Sequence, residues 1–346
     1  MDREKTSNPS GRKRRTVTLR DIGLATGYSA NTVSRSLADK PDIAPETKEK
    51  IRKAAEQMGY IVNASASFLR SGVSRIISII VGDISNPHFS VMVKEMQTLL
   101  QKKGYTCVIF NTEEKPALEK QAIVTSLSQN VDGILICPCP NGEENIVFLR
   151  SHHTPFVLVG RRFFTQDTSY VICDDEGGGY LATRYLLTMG HRDILFLNGP
   201  GGISSSAERL LGYRRALEEA QVPYRSALVR TVPIISGKME EKILQALEDG
   251  ISYTAILAFS DLVAWQMICL ICRRGQSIPK DYSVIGFDNI KTMYPLRLTS
   301  VSSSKTTMAR RAVELLLGKL ERRSEEEKHF VLETRIVEGD TVSRRG

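Results

Sequence analysis

The chain has 346 residues, 41% of them apolar and 25% charged, with a formal net charge of +8. This length and composition suit two or three soluble domains with sizeable cores. No apolar run reaches the roughly 18 residues of a membrane helix, and the polar, basic start from Met1 to Arg15 is no secretory signal, so a cytosolic protein is expected.

The charge is concentrated at one end. Residues 1–75 carry 15 Lys and Arg against 8 Asp and Glu, a net of +7. Localised positive charge is the footprint of a nucleic-acid partner, because phosphate neutralisation supplies most non-specific affinity. Arg12 to Arg15, taken alone, read equally well as part of a solvated, flexible basic tail over residues 1–15.

Thr18 is the predicted N-cap of a first helix, with Asp21 near its positive end. Ile22, Leu24 and Ala25 form its expected apolar face, and Gly27 ends it. Ser29 caps a second helix. Val33 and Leu37, spaced i, i+4, turn inward together; Ala30, Asn31, Ser34 and Arg35 are left outward. Two short helices around a Gly turn are a helix-turn-helix arrangement. After a loop holding Pro41 and Pro45, a third helix is predicted over 46–58, with Ile51, Ala54, Ala55 and Met58 as its apolar stripe.

From Arg75 the pattern changes. Short apolar strands are predicted at 76–81, 106–110, 133–136, 156–159, 170–173, 194–197, 228–232, 255–259 and 283–287. Helical stretches such as 89–103, 180–190, 207–221, 238–249 and 262–274 lie between them. Alternating β and α units imply parallel sheets covered on both faces, and nine strands are too many for one compact sheet, so two lobes are expected. The six cysteines sit mostly in apolar segments and are read as buried, reduced thiols; His152-His153 reads as a surface loop. Gly177-Gly-Gly179 and Gly199-Pro-Gly-Gly202 lack the Lys-Ser/Thr or the glycine spacing of nucleotide loops; a helix entry and a loop explain them.

Several segments together resemble the lactose-repressor/galactose-repressor family of bacterial regulators. They are Val17-Thr-Leu-Arg-Asp-Ile, Thr26-Gly-Tyr-Ser, Asn31-Thr-Val-Ser-Arg35, Glu46-Thr-Lys-Glu-Lys-Ile51 and Met58-Gly-Tyr60, in matching order and spacing. Further matches are Asp132-Gly-Ile-Leu, Gly190-His-Arg-Asp-Ile, Gly199-Pro, Glu208-Arg-Leu-Leu-Gly-Tyr213, Ser283-Val-Ile-Gly-Phe-Asp288 and Leu298-Thr-Ser, so the resemblance covers about residues 16–342.

The resemblance implies an N-terminal all-α helix-turn-helix domain plus an α/β, two-lobed, type I periplasmic-binding-protein-like domain with parallel sheets. The implied division is a basic tail at 1–15, a DNA-binding domain at 16–60, a hinge helix at 61–74 and an effector and dimerisation domain at 75–346. One lobe takes about 75–175 and 303–332, the other about 176–302 and 333–346. The second helix enters the major groove, where Ala30, Asn31 and Arg35 meet base edges. Arg can clamp guanine O6 and N7 and Asn the adenine edge. Thr18, Ser29, Thr32 and Ser34 complete the head's expected DNA contacts, Ser29 and Thr32 on phosphate. In the hinge, Asn63, Ala66 and Arg70 accompany Leu69, which matches the family's minor-groove wedge; Val62 and Ser67 depart from the common Pro and Arg there.

Phe89, Gly160, Arg161, Arg209, Ser260 and Asp288 match positions lining the effector cleft, beyond the carboxyl ends of strands where such sheets bind ligands. Arg209 and Asp288 suit vicinal hydroxyls, or else bridge to each other. Gly160 stands where several relatives carry Asp and Val232 where some carry an aromatic, so a different ligand from theirs is expected. The implied partners are a pseudo-palindromic operator duplex, a sugar-like small effector and a second copy of the chain, in a bacterial cytoplasmic, nucleoid-associated protein. No cofactor, metal, membrane or catalytic role is expected. A solute-binding protein or an α/β enzyme without DNA binding is the alternative.

Overall fold

A computed structural model of the chain describes residues 17–61, 72–235, 239–291, 295–321 and 326–345. The chain divides into two compact units between Ser74 and Arg75. The first contains helices α1 (Leu19–Thr26), α2 (Ala30–Leu37) and α3 (Pro45–Gln57). Thr18 caps α1 by a reciprocal pair of bonds: its hydroxyl accepts from the Asp21 N–H while Asp21 accepts from the Thr18 N–H. Gly27, at φ 82°, closes the helix in a left-handed conformation open to glycine. Ser29 caps α2, accepting from Thr32 N–H at 3.1 Å. α3 begins one residue earlier than expected: Pro45 occupies the first helical position, where a missing N–H is harmless.

Ile22, Val33, Ile51 and Ala55 form the small core of this unit. The expected inward face of α1 needs correction. Leu24 is 86% exposed and Ala25 is exposed too, while Gly23 and Thr26 are buried beside Ile22. The turn after the helix folds back so closely that a Cβ on Gly23 would lie 2.6 Å from the Tyr28 carbonyl oxygen, so a glycine and a threonine take the inward positions.

The second unit holds two six-stranded sheets. The first contains β1 (Ile76–Val81), β2 (Thr106–Asn111), β3 (Gly133–Ile136), β4 (Phe156–Val159), β5 (Tyr170–Cys173) and β11 (His329–Leu332), in the order β11-β5-β4-β3-β1-β2, all parallel. The second contains β6 (Ile194–Asn198), β7 (Val229–Thr231), β8 (Ala255–Ala258), β9 (Ser283–Phe287), β10 (Thr299–Ser302) and β12 (Arg335–Val337), in the order β12-β10-β9-β8-β6-β7. Only β12 is antiparallel to its neighbour. The chain therefore passes between sheets three times: after β5, after β10 and after β11. In each sheet the strand order reverses beside the first strand, which opens a crevice at the carboxyl ends.

Helices α4 (Pro87–Lys102), α5 (Pro116–Ser128), α6 (Glu143–Arg150) and α11 (Lys305–Leu320) accompany the first sheet. Helices α7 (Asp175–Thr188), α8 (Ser204–Glu219), α9 (Glu240–Glu248) and α10 (Asp261–Arg273) accompany the second. α5, α6, α11 and the last three strands were absent from the predicted elements. The glycines at 177–179 open α7, and they let it lie against α8. A Cβ on Gly179 would sit 2.3 Å from the Arg209 carbonyl oxygen, and one on Gly212 would sit 2.0 Å from that of Glu176. This backbone contact brings Arg209, near the start of α8, up to Asp175.

The cysteine expectation is half corrected. Cys137, Cys139 and Cys173 are buried and Cys107 is half-buried, but Cys269 and Cys272 are exposed. On α10 the inward positions are Met267, Ile268, Leu270 and Ile271, which leaves the two thiols on the solvent side.

Candidate functional site

Two places gather the expected functional residues. On the three-helix head, Val33 and Ser36 point into the core, which leaves Asn31 and Arg35 exposed and Ala30, Thr32 and Ser34 half-buried along one side of α2. The Ser29 and Thr32 hydroxyls lie 2.9 Å apart at its amino end, next to the helix end whose free N–H groups favour a phosphate. Thr18 is engaged in its cap. Arg35 donates from Nε and from one terminal nitrogen to Asp42, at 3.2 and 2.5 Å. The Lys50 ammonium stands 5.4 Å from the Tyr28 ring centroid. Asn63, Ala66, Leu69 and Arg70 lie outside the described residues.

All six expected cleft residues line a single cavity: Phe89, Gly160 and Arg161 from the first lobe, Arg209, Ser260 and Asp288 from the second. Five of the six follow a strand's carboxyl end or start a helix there, and Arg209 lies in the second turn of α8. Phe89 is in the first turn of α4, Gly160 and Arg161 follow β4, Ser260 caps α10 after β8, and Asp288 follows β9. Gly160 has φ 75°, so its missing side chain also serves the turn. The free space is about 50 Å³, room for one or two water molecules at roughly 30 Å³ each. A sugar-sized ligand requires the lobes or these side chains to move.

Paired charges fill the cavity. Arg161, 7% exposed, makes a two-pronged pair with Glu114 at 2.6 and 2.8 Å and donates to the Pro138 carbonyl at 3.0 Å. Burial opposes its charge, but Glu114 outweighs that and holds the guanidinium above its ordinary pKa. Arg209 donates from Nε to Asp175 at 2.8 Å and from a terminal nitrogen to the Phe259 carbonyl. Its guanidinium stands 3.4 Å from the Phe287 ring centroid and 4.5 Å from that of Phe259. Burial pushes the Asp175 carboxyl up in spite of Arg209.

Asp288 faces the other lobe: its Oδ1 is 2.9 Å from His88 Nδ1. Burial alone would raise this carboxyl, but His88, Arg209 and Lys305 together hold it below the usual range. Arg209 and Asp288 are thus not paired with each other; each has its own partner. Beside the cavity, Arg162 ties the lobes together, its side chain donating to Glu208 at 2.7 Å and its N–H to the Ser204 hydroxyl at 3.1 Å.

Sequence reasoning missed the charged partners of the cleft: His88 and Glu114, which line the cavity, and Asp175, which lies behind Arg209. Asp175 appeared in the sequence only as the end of the first lobe's opening stretch, and His88 only as the neighbour of Phe89. Glu114, in a left-handed turn after β2 at φ 55°, carried no signal of its own. Among the described residues no three His, Cys, Asp or Glu gather as metal ligands, and no helix is long and apolar enough to cross a membrane.

Residues 18–63 match the family described as "Bacterial regulatory proteins, lacI family", and residues 183–342 match a "Periplasmic binding protein-like domain". The HTH-type transcriptional repressor PurR of Vibrio atlanticus is 30% identical over 338 residues, covering 94% of this chain and 98% of the relative. The chain belongs to the lacI family. The PurR repressor of Vibrio cholerae is likewise 30% identical over 334 residues. In fold, the chain is similar to the lac repressor dimer bound to operator and the anti-inducer ONPF, with a TM-score of 0.84 at 23% identity over 95% of this chain and all of that one. It is also similar to the regulator CelR in complex with cellobiose, with a TM-score of 0.70 at 24% identity over 94% and 99%. This lacI-family chain is accordingly a DNA-binding transcriptional repressor under the control of a small-molecule effector, and its curated relatives are repressors rather than enzymes.

Proposed function

We propose that the chain works as a homodimer on a pseudo-palindromic operator and is switched by an uncharged, polyhydroxylated ligand between the lobes. In each half-site α2 lies in the major groove. Arg35 and Asn31 read base edges, Ala30 makes an apolar contact, Ser34 borders the groove, and Thr18, Ser29 and Thr32 hold phosphates. Asn63, Ala66, Leu69 and Arg70 take the minor groove between the half-sites. The protein acts at the nucleoid, in the bacterial cytoplasm.

The observation that carries the ligand class is the internal balance of the cavity: Arg161 pairs with Glu114 and Arg209 with Asp175, while the Asp288 carboxylate has the His88 ring at 2.9 Å and the cations Arg209 and Lys305 near it. A charged ligand would leave one of these groups buried and unbalanced, which is unfavourable. A ligand of hydroxyls can share the carboxylates and the remaining guanidinium donors, with its C–H faces on Phe89 and Phe259. Proteins of the same fold have been solved with cellobiose and with ribose. Asp288 supports a functional reading independently: its φ of 108° and that of Asn289 at 51° are strained for non-glycine residues, and such strain collects at ligand clamps.

A thermal-shift screen of neutral sugars, sugar phosphates and sugar acids tests the class, and Asp288→Asn tests the site. The variant is expected to fold and to bind DNA as the ligand-free protein does, with ligand affinity weakened by about 1–3 kcal/mol and no ligand-dependent change in DNA binding by fluorescence anisotropy. A preference for anionic ligands, or a normal ligand response in Asp288→Asn, would overturn this reading.

A further inference from the structure

We propose that Asp42 is a positioning residue for base reading: it holds the Arg35 guanidinium by its Nε edge and leaves the terminal edge for a guanine. The inference rests on the reading that Arg35 contacts a base.

A guanidinium has five N–H donors fixed in one plane. Both bonds to Asp42 leave from a single edge, Nε at 3.2 Å and Nη2 at 2.5 Å, and both end on Oδ2. That uses one hydrogen on each nitrogen. The two hydrogens of Nη1 and the second of Nη2 remain, and they lie along the end of the group. This is the edge that matches O6 and N7 of guanine.

The pair is a surface one, with side chains 44% and 50% exposed, and surface pairs add little to stability. Its contribution is geometric. Arg35 sits in the last turn of α2, where a long side chain is otherwise free to rotate. Fixing it beforehand lowers the entropy lost on binding. The Arg35 hydrogen bond also holds the Asp42 carboxyl below its ordinary pKa, so the clamp is ionised at neutral pH. The nearby Asp39 is committed elsewhere, to Lys48 and Arg52, both at 3.0 Å. Asp42 has a second consequence: a carboxylate beside the reading edge repels phosphate, so DNA that offers no guanine to Arg35 gains less from the contact.

The two effects give a signature with opposite signs. The full-length chain is used to select from a pool of randomised DNA duplexes. Duplexes differing only at the base pair whose preference depends on Arg35 are then titrated by fluorescence anisotropy. Asp42→Asn, nearly the same shape, is expected to reduce the guanine preference at that base pair by about threefold to tenfold, part of the roughly 5- to 150-fold that a good two-pronged contact supplies. It is expected to tighten binding to the duplexes lacking that guanine, with melting temperature unchanged. Asp42→Glu, which keeps the carboxylate, restores the preference. Arg35→Ala removes it, and adding Asp42→Asn to Arg35→Ala changes it no further.

If Asp42→Asn keeps the full guanine preference while Arg35→Ala loses it, the positioning role is wrong. Tighter operator binding with intact preference would show instead that Asp42 competes with DNA for Arg35. If Arg35→Ala itself keeps the preference, the base-reading role fails, and the positioning role goes with it.

Discussion

In the head, every described ion pair has a partner at the surface: Arg35 with Asp42, Lys48 and Arg52 with Asp39, Lys53 with Glu49. Around the cleft the pairs are sealed; the side chains of Arg161 and Glu114 are 9% and 5% exposed, those of Arg209 and Asp175 8% and 1%. Water screens the first set, so its charges stay available to exchange a carboxylate for a phosphate or a base at little loss. The second set cannot be separated without leaving a buried charge unbalanced. The same pairing chemistry thus leaves exposed, exchangeable charges in one region and sealed, mutually balanced ones in the other. The cores differ in the same sense: four buried apolar side chains hold the three helices, whereas each sheet of the body is covered on both faces.

Breaking a sealed pair is the strongest way to challenge this contrast. Glu114→Gln leaves the Arg161 guanidinium buried with only the Pro138 carbonyl and an amide oxygen. A loss of about 3–5 kcal/mol in the stability of the body is expected, measured by chemical denaturation. An unchanged denaturation midpoint would mean that water reaches Arg161 and that the cleft charges are as exchangeable as those of the head. Opening an exposed pair should leave stability alone and act on recognition. Arg35→Ala is expected to weaken operator binding by about 1–3 kcal/mol per half-site and to relax the preference at one base pair. Equal weakening on all sequences in anisotropy titrations would make Arg35 a phosphate contact only.

The contrast also explains what could be read in advance. Strands β1, β3, β4, β5 and β9 begin and end where the sequence suggested, because each is a short, apolar run buried on both faces. β10, β11 and β12 were invisible for the opposite reason. Thr299–Ser302 is largely polar, β11 is a half-exposed edge with Val331 54% exposed, and Arg335–Val337 has three residues. The helix-turn-helix was legible because caps and turns are local chemistry: Thr18, Gly27 and Ser29 act within three or four residues of themselves. The cleft's partners were not. Arg161 meets Glu114 across 47 positions and Arg209 meets Asp175 across 34, and only the sheet order brings them together. The face of α1 was misread because the close return of the turn at Tyr28 favours Gly23 over Leu24 inside, a steric matter that periodicity does not carry.

A pH-dependent test of the same comparison concerns a carboxyl between these extremes, buried yet without a cation within hydrogen-bond reach. Asp261, at the first position of α10, accepts from the Ile290 N–H and from the Ser300 hydroxyl, both at 2.6 Å. Burial, then the neighbouring Asp288, push it up to about 8. An unfolded Asp titrates near 3.9, so between about pH 4 and pH 8 the folded chain holds a proton that the unfolded chain does not. Stability from this group is therefore fully present below about pH 4 and is lost as the pH rises towards 8, by at most about 1.4 kcal/mol per pH unit. Asp288 adds no slope here: its folded value is lowered, so in this window both its states are ionised. His191, held below its ordinary value by burial, adds a pH dependence of its own, but it does so in wild type and variant alike. The difference between wild type and Asp261→Asn thus isolates Asp261. Denaturation midpoints measured from pH 5 to pH 8 should fall more steeply for wild type than for the variant. Parallel curves would mean that Asp261 stays ionised in the fold, so that its two donors balance the charge without a proton.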